Sequence, residues 1–221
     1  MSLLERAARF PYNLVLRYAP APIKMFLWDR EFSSGKWAFI EHTAGDCIYR
    51  SLEKYARHGS ILDLGCGPGN TANELAMSAY TSYEGVDVSE IALEKARTRS
   101  EQSGRAHKNR FVRADLLTYT PTGIFDVILL RESLYHVPLR RLKALFDHYS
   151  PYLKDSGVFI VRLITNGRHG PKARVRVIET AFNVVEKAQY GRDGTLVVVF
   201  RTNRRPAPEP VNDRTRVEPR R

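Results

Sequence analysis

Short apolar runs alternate along most of the chain with longer segments in which apolar residues recur at helical spacing. The runs predict strands and the periodic segments predict helices. Seven strands are predicted, at residues 60–64, 83–89, 111–116, 125–130, 158–164, 182–190 and 195–201. Five helices are predicted around them, at residues 44–55, 71–78, 90–97, 139–149 and 171–180. Strands that alternate with helices in this way indicate an α/β fold.

The same pattern divides the chain into three parts. Residues 45–202 carry the alternation and are predicted to form the main domain, in which the stretch Gly191 to Gly194 joins the last two strands as a hairpin. Prolines break residues 1–44 into short apolar and basic helices. We predict a helical lid or cap there, and a segment lying on a membrane surface is the alternative. Residues 203–221, rich in proline and arginine, are predicted to be disordered.

A glycine loop follows the first predicted strand. The sequence from Asp63 reads Asp-Leu-Gly-Cys-Gly-Pro-Gly-Asn, and a predicted helix comes next. A strand, a glycine loop and a helix N-terminus together form a nucleotide site, since glycine lets the backbone approach a ligand closely. A dinucleotide fingerprint would place its third glycine at Asn70, and a phosphate loop would need Lys-Ser/Thr in place of Asn70-Thr71. A tight turn that binds nothing is the remaining alternative.

A second acidic residue stands at the end of the second predicted strand. Asp87 lies 22 residues after Gly65, near the spacing at which an acid accepts hydrogen bonds from a ribose diol. Ser89 is predicted to cap the helix that begins at Glu90. A plain surface acid is the alternative for Asp87, but two motifs at the correct separation argue against it.

These two motifs resemble those of a known family. Asp-x-Gly-x-Gly-x-Gly from Asp63 resembles motif I of the class I S-adenosylmethionine-dependent methyltransferases, and the run from Gly85 to Arg97 resembles the segment after motif I. The resemblance covers residues 45–201. It implies a Rossmann-like, doubly wound, seven-stranded sheet that is mostly parallel, with an antiparallel C-terminal strand and helices on both faces. It also implies S-adenosyl-L-methionine as cofactor, whose ammonium and sulfonium suit a carboxylate at a strand end.

The resemblance assigns roles to individual residues. Asp115, at the end of the third predicted strand, would contact the adenine amino group, and the backbone of Leu116 would border the ring. The cofactor-binding residues expected in this way are Asp63, Gly65, Cys66, Gly67, Gly69, Asn70, Asp87, Val88, Asp115, Leu116 and Arg131. The chain before motif I commonly forms a lid in this family, with aromatic residues near the acceptor. The candidates are Tyr12, Trp28, Phe32, Trp37 and Phe39, for which ordinary packing is the alternative.

The catalytic candidates follow the fourth strand. Methyl transfer is an in-line displacement that needs alignment and exclusion of water, and a general base helps when the acceptor is a hydroxyl or a protonated amine. His136 is the expected base, with simple packing of a loop as the alternative. Tyr135 is expected to face the sulfonium or to orient the acceptor. Glu132 is a weaker base candidate, and an ion pair with Arg131 is its alternative.

Several classes of methyltransferase do not fit the sequence. The Asn/Asp-Pro-Pro-aromatic signature of amino-directed nucleic-acid methyltransferases is missing, because Arg131-Glu132-Ser133-Leu134 stands in its place. No cysteine lies in the Pro-Cys setting of cytosine C5 chemistry. The six histidines are scattered, so we expect no metal site.

Charge adds a question about partners. The chain has 221 residues and a net charge of +11, of which residues after Asn203 carry +3, since six arginines and three acids lie there. A basic stretch from Arg162 to Arg176 is compatible with an anionic acceptor at the pocket rim or with a solvated helix face. The excess suits an acidic substrate, nucleic acid or an anionic membrane surface, or serves solubility alone.

The expected compartment follows from cysteine usage. Cys47 and Cys66 give no disulfide framework, which indicates a reducing environment. No apolar run approaches the length of a membrane-spanning helix, and the N-terminus lacks the layout of a signal peptide. We therefore expect a cytoplasmic protein.

Together the patterns predict a methyltransferase that acts on oxygen or nitrogen of a small-molecule acceptor. An RNA or protein methyltransferase is the first alternative, because of the net charge and the arginine-rich tail. A catalytically silent scaffold that binds the cofactor is the second. The sequence does not identify the acceptor or the oligomeric state.

Overall fold

The computed structural model describes residues 16–35, 37, 43–165, 171–191 and 194–202. The predicted tail after residue 202, the whole segment before residue 16 with its aromatic candidate Tyr12, and the aromatic candidate Phe39 lie outside the described residues. No helix of the described part is long and apolar enough to cross a membrane.

Seven strands of the described chain form one sheet in the order β3-β2-β1-β4-β5-β7-β6. They are β1 (Ser60–Leu64), β2 (Ser82–Asp87), β3 (Asn109–Arg113), β4 (Phe125–Arg131), β5 (Leu153–Ile164), β6 (Asn183–Tyr190) and β7 (Thr195–Arg201). Neighbouring strands from β3 to β5 pair in parallel, while β7 runs antiparallel to both β5 and β6. This topology confirms the predicted Rossmann-like sheet with its antiparallel C-terminal strand.

Helices cover both faces of the sheet. They are α1 (Ala21–Ser33), α2 (Ile48–Ala56), α3 (Asn70–Glu74), α4 (Glu90–Gln102), α5 (Leu142–Tyr149) and α6 (Pro171–Ala181). Alternate residues of β4 point to opposite faces. Ile128 and Leu130 pack with α5 and α6, whereas Val127 and Leu129 pack with α2 and α4. The core therefore consists of two apolar layers, and the carboxyl ends of the parallel strands share one edge.

Local signals explain several boundaries. Ser89 accepts a hydrogen bond from the Ala92 backbone N–H at 3.2 Å and caps α4 as predicted. The helix predicted at 71–78 is the shorter α3, since Leu75 is extended and its carbonyl is bonded by Arg105 instead. The strand predicted at 158–164 is longer than expected, because β5 begins at Leu153, which pairs with Phe125 through an irregular register.

Candidate active site

The glycine loop turns the chain from β1 into α3. Gly65, Gly67 and Gly69 have φ angles of 85°, 53° and 74°, in the left-handed region that favours glycine. A Cβ atom at Gly65 would lie 2.4 Å from Ser133 Cβ, so packing against the loop after β4 also demands glycine. A Cβ atom at Gly67 would meet the Phe32 ring at 3.9 Å and nothing nearer. The centre of the loop therefore faces α1 with room beside its backbone.

Asp63 places a buried carboxylate near the end of β1, two residues before the glycine loop. Its Oδ2 accepts a hydrogen bond from the Tyr83 hydroxyl at 2.7 Å. Its Oδ1 is buried and has no hydrogen-bond partner among the described residues. Burial raises the pKa of Asp63 to about 6, and the Tyr83 bond and the Arg131 charge oppose this rise only in part. A buried acceptor left without a donor is unfavourable, so this oxygen suits a cationic group of a ligand.

Asp87 ends β2 and is held against the glycine loop. Its Oδ2 accepts the Gly67 backbone N–H at 2.9 Å, and its Oδ1 accepts the Ser89 backbone N–H at 3.0 Å. Burial raises the pKa of Asp87 even though these N–H groups favour its charged form. A carboxylate has about four acceptor positions, so two bonds leave capacity for hydroxyl donors. The geometry is compatible with the predicted contact to a ribose diol.

Asp115 lies two residues beyond the end of β3, so its predicted place on the strand is wrong. Its Oδ1 accepts the Leu117 backbone N–H at 2.9 Å, which fixes the carboxylate in the loop. Its Oδ2 forms an ion pair with Lys24 Nζ of α1 at 2.7 Å, and both side chains are buried. Leu116 is half-buried, and its carbonyl accepts the Tyr149 hydroxyl. The oxygen expected to meet an adenine amino group is thus bonded by a lysine of α1.

Helix α1 is anchored over the carboxyl ends of β2 and β3. Asp29 Oδ1 accepts the Ser89 hydroxyl at 2.8 Å and the Ile91 backbone N–H at 3.3 Å. Asp29 Oδ2 forms an ion pair with Arg113 at 2.7 Å. Helix α1 also packs against α4. Helix α1 lies in the segment predicted to be a lid, and it contacts three parts of the expected cofactor site. Asp29 bonds the loop after β2 and the end of β3, and Lys24 bonds the loop after β3.

Three further predicted cofactor residues, Asn70, Val88 and Cys66, lie in or near the glycine loop. Asn70 and Val88 have protein partners. Asn70 Oδ1 accepts Arg99 Nη1 at 2.7 Å, and Asn70 Nδ2 donates to the Thr43 hydroxyl at 3.2 Å. The Val88 carbonyl accepts a hydrogen bond from an arginine of β3. Cys66 is buried, and burial raises the pKa of its thiol, so the chemistry of a thiolate is not available there.

Two arginines meet at the carboxyl ends of β4 and β5. Arg131 ends β4, and Arg162 is its register partner on β5. Arg131 Nη2 donates to Asp46 Oδ2 at 2.6 Å, and Arg131 Nη1 donates to the Tyr49 hydroxyl at 3.3 Å. Arg162 Nε donates to the other Asp46 oxygen at 3.2 Å. Burial opposes ionisation, yet these guanidinium groups lower the pKa of Asp46. The guanidinium of Arg131 is thus committed to protein groups.

Glu132 follows Arg131 in a strained conformation. Its φ of 57° lies in the left-handed region, which a side chain other than glycine occupies at a cost. Its Oε1 accepts Arg162 Nη1 at 2.6 Å, so the expected alternative of an ion pair with Arg131 is wrong in its partner. Burial raises the pKa of Glu132, although the Arg162 charge opposes the rise. Strain of this kind is typical of functional sites.

Tyr135 and His136 lie on the 3-10 helix Leu134–His136. The Tyr135 hydroxyl accepts the Ile164 backbone N–H at 2.6 Å, and burial raises the pKa of this phenol. This bond fixes Tyr135 to the end of β5. The His136 ring meets the Trp28 ring edge-on, with centroids 4.9 Å apart. Through Trp28, helix α1 thus contacts His136, the predicted base.

Arg174 holds this 3-10 helix from the opposite side. It is buried on α6 and donates to the carbonyls of Leu134, Tyr135 and Val137 at 3.1 to 3.2 Å. The basic stretch expected to form one surface is therefore divided. Arg162 and Arg174 serve internal contacts, Lys172 and Arg176 are exposed, and residues 166–170 lie outside the described part.

An open pocket of about 370 Å³ lies beside Arg162, at the same edge of the sheet. Its lining residues are Thr43, Ala44, Gly45, Asp46, Cys47, Arg162, Tyr190, Gly191 and Thr195. Glu132 does not line this pocket, but it forms an ion pair with Arg162, which does. In the described part of the chain, no group of three or more His, Cys, Asp or Glu side chains is arranged to hold a metal ion.

Comparison with known proteins decides the family. A family model described as a methyltransferase domain matches residues 36–193, which is more than half of the chain. The chain belongs to the methyltransferase-domain family. The glycine loop, the three carboxylates and the loop after β4 all lie inside the matched range.

Known methyltransferases share parts of the chain. A sterol 24-C-methyltransferase of Aspergillus fumigatus is 27% identical over 132 residues, covering 55% of this chain and 34% of that protein. A trans-aconitate 2-methyltransferase of Enterobacter sp. is 37% identical over 107 residues, covering 48% of this chain and 39% of that protein. The chain thus spans between a third and two fifths of the length of these two relatives. The crystal structure of the N-methyltransferase NodS from Bradyrhizobium japonicum in complex with S-adenosyl-L-homocysteine has a TM-score of 0.65 and 17% identity, and covers 81% of this chain and 98% of that chain. This likeness shows the shared methyltransferase fold.

Sequence reasoning missed part of the methyltransferase site. In the sequence, Asp46 looks like an ordinary acidic residue at the start of a helix. It does have that role, because it accepts the backbone N–H of Ile48 at the start of α2. Lys24 reads as one of several cations in a basic segment. Each is joined to its partners across a long sequence separation, so the chain offers no local signal for either contact.

Proposed function

We propose that this protein is an S-adenosyl-L-methionine-dependent methyltransferase that acts on oxygen or nitrogen of a small-molecule acceptor. The observation that carries the proposal is the set of three buried carboxylates, Asp63, Asp87 and Asp115, around the glycine loop at the carboxyl ends of β1 to β3. Ligands of open parallel sheets bind at this edge, near the point where the strand order reverses. Here that point lies between β1 and β4.

The residues present fit this cofactor. The unpartnered Oδ1 of Asp63 suits an ammonium group, the Asp87 carboxylate has free acceptor capacity for ribose hydroxyls, and the Asp115 carboxylate can accept from an amino group. Gly67 leaves room beside its backbone for a ligand to approach. Lys24 already bonds Asp115 Oδ2, so an amino group of the cofactor would compete with the lysine for that oxygen.

The acceptor would lie on the β4 and β5 side of the site. The bound cofactor supplies an electrophilic methyl group on a sulfonium sulfur. The residues of the chain would align the acceptor, exclude water with α1, and accept a proton where the acceptor carries one. Glu132 and His136 are the proposed bases. Glu132 is chosen because of its strained backbone and raised pKa, and His136 because it lies on the loop after β4 and contacts Trp28.

Two features support the choice of acceptor class and compartment. The relatives are described as methylating a sterol and trans-aconitate, which are small molecules. Cys47 and Cys66 are free thiols, which supports the proposed cytoplasmic location.

Incubation with methyl-labelled S-adenosyl-L-methionine and a cell extract tests the proposal. Small molecules, lipids, protein and nucleic acid are then separated and counted. The Asp63→Ala, Asp87→Ala double variant is the blank. Asp126→Ala is the matched control, because this carboxylate lies at the amino end of β4 and bonds Ser60 and Lys154 away from the site. Circular dichroism verifies that each variant is folded.

We expect label in the small-molecule or lipid fraction with the wild type and the control, and none with the double variant. Label in RNA or protein would replace the proposed acceptor class. Failure of the folded wild type to bind S-adenosyl-L-homocysteine in calorimetry would refute the cofactor assignment.

A further inference from the structure

The solvent-facing side of α1 is apolar. Ile23 and Phe26 lie one turn apart on this face and are 47% and 67% exposed. Tyr18, just before the helix, is 52% exposed. The outer face of α1 is defined here as the exposed residues Pro22, Ile23, Phe26, Arg30 and Ser33, which recur at helical spacing. Large apolar side chains that gather on one side of a surface helix mark an interaction site.

Positive charge borders this outer face. Tyr18 contacts the guanidinium of Arg140, which lies 5.7 Å from the ring centroid. Arg140 belongs to the exposed 3-10 helix Leu139–Arg141, whose Leu139 is 43% exposed and whose other two residues are arginines. The contact joins the two segments into one surface. That surface combines aromatic and aliphatic side chains with Arg30, Arg140 and Arg141.

Negative charge is absent from the exposed part of these two segments. Among the described residues 16–35 and 139–141, every exposed residue is apolar, small, hydroxylic or basic. The two acids of residues 16–35 are partly buried and have protein partners. Asp29 binds Ser89 and Arg113, and Glu31 accepts the Trp37 indole N–H at 3.2 Å. A partner of this surface therefore has to combine an apolar interior with negative charge.

We propose that the outer face of α1, together with Tyr18 and Leu139–Arg141, docks onto an anionic lipid bilayer. Such a bilayer provides both required properties, because apolar side chains enter the boundary between headgroups and acyl chains while arginines meet anionic headgroups. The aliphatic Ile23 and Leu139 favour a bilayer over nucleic acid, whose partners stack aromatic side chains on bases. The sequence before residue 16 is also apolar and basic, with Leu3, Leu4, Phe10 and two arginines against one acid, Glu5.

Docking would act on the same helix that covers the cofactor site. The inner side of α1 carries Lys24 and Trp28, which contact Asp115 and His136, and Phe32, whose ring faces Gly67. A bilayer bound to the outer face would therefore lie on the far side of the helix that covers the cofactor site. The inference does not depend on the acceptor or on catalysis.

Flotation of the full-length protein with lipid vesicles tests the docking. Two vesicle compositions are compared, pure phosphatidylcholine and phosphatidylcholine with about one third phosphatidylglycerol. The test variant is Ile23→Glu, Phe26→Glu. The matched control is Ile124→Glu, since Ile124 is 59% exposed but precedes β4 at the opposite edge of the sheet. A second test variant, Arg140→Glu, Arg141→Glu, reverses the charge and leaves the exposed apolar side chains in place.

We expect the wild type and Ile124→Glu to float with the anionic vesicles, and each test variant to bind at least about tenfold more weakly. Equal flotation of the test variants and the control would overturn the proposal, as would wild-type protein that stays unbound. Equal binding of the wild type to both compositions would overturn the electrostatic part. A wild-type dimer that the Ile23→Glu, Phe26→Glu variant dissociates would assign the face to a second copy of the chain instead.

Discussion

Asp63 keeps a carboxylate where burial disfavours charge, so its replacement by asparagine has a pH-dependent effect on stability. Burial raises the pKa of Asp63 from 3.8 to about 6. One pKa unit corresponds to about 1.4 kcal/mol, so ionising this group costs about 3 kcal/mol more in the folded protein than in the unfolded chain. The cost is absent below pH 3.8, where both states are protonated, and is complete once the pH has risen through about 6.

Asp63→Asn removes this charge and keeps an oxygen that accepts the Tyr83 hydroxyl. The amide nitrogen takes the place of the unpartnered Oδ1 and costs about 1 kcal/mol at every pH. We therefore expect the variant to exceed the wild type in unfolding free energy by about 2 kcal/mol near pH 8. Near pH 4 the order reverses, and the variant is less stable by about 1 kcal/mol.

Urea unfolding of both proteins at several pH values between these limits measures the difference directly. Asp126→Asn is the control with the opposite sign. Burial opposes ionisation of Asp126, but Lys154 and the Ser60 N–H lower its pKa. The wild type therefore gains stability as Asp126 ionises, and Asp126→Asn becomes less stable relative to the wild type as the pH rises. A stability difference for Asp63→Asn that does not change with pH would refute the assignment of a buried, ionised carboxylate.

The other predictions concern binding and turnover. Lys24→Met removes the cation that competes for Asp115, so stopped-flow association of S-adenosyl-L-homocysteine should become severalfold faster; an unchanged rate would contradict the competition. Asp87→Ala should weaken the same ligand by roughly 1–3 kcal/mol in calorimetry, because hydroxyl donors lose their acceptor, and equal affinity would exclude the ribose contact. His136→Ala should lower turnover and leave cofactor affinity intact, whereas full turnover would show that the ring only packs. Glu132→Gln should remove the acidic limb of the kcat profile if Glu132 is the base, and a profile of unchanged shape would exclude that role.

The sheet and the glycine loop were predictable because their signals are local. The run that ends in Asp63, the spacing to Asp87 and the cap at Ser89 each lie within a short stretch, and each has its expected place in the structure. Family membership was predictable for the same reason, since the motifs that identify the family are contiguous. The assignments of individual residues to ligand contacts stay predictions.

Contacts between distant segments were not predictable. Lys24 and Asp115 are 91 residues apart, and Asp46 and Arg162 are 116 apart. Burial of two opposite charges is unfavourable unless they pair closely, and only the folded chain shows which groups meet. Tyr135 illustrates the same limit, because its place on the loop after β4 suggested contact with a ligand, whereas its hydroxyl bonds the backbone of Ile164.

The three carbonyls that Arg174 binds have a consequence for engineering. The segment that carries His136 takes its shape from a side chain about 40 residues further along the chain, on α6. Transplanting this segment alone from a relative would leave the guanidinium facing an unsuitable backbone, with its buried charge unsatisfied. A graft of the loop after β4 therefore has to bring α6 with it as one unit.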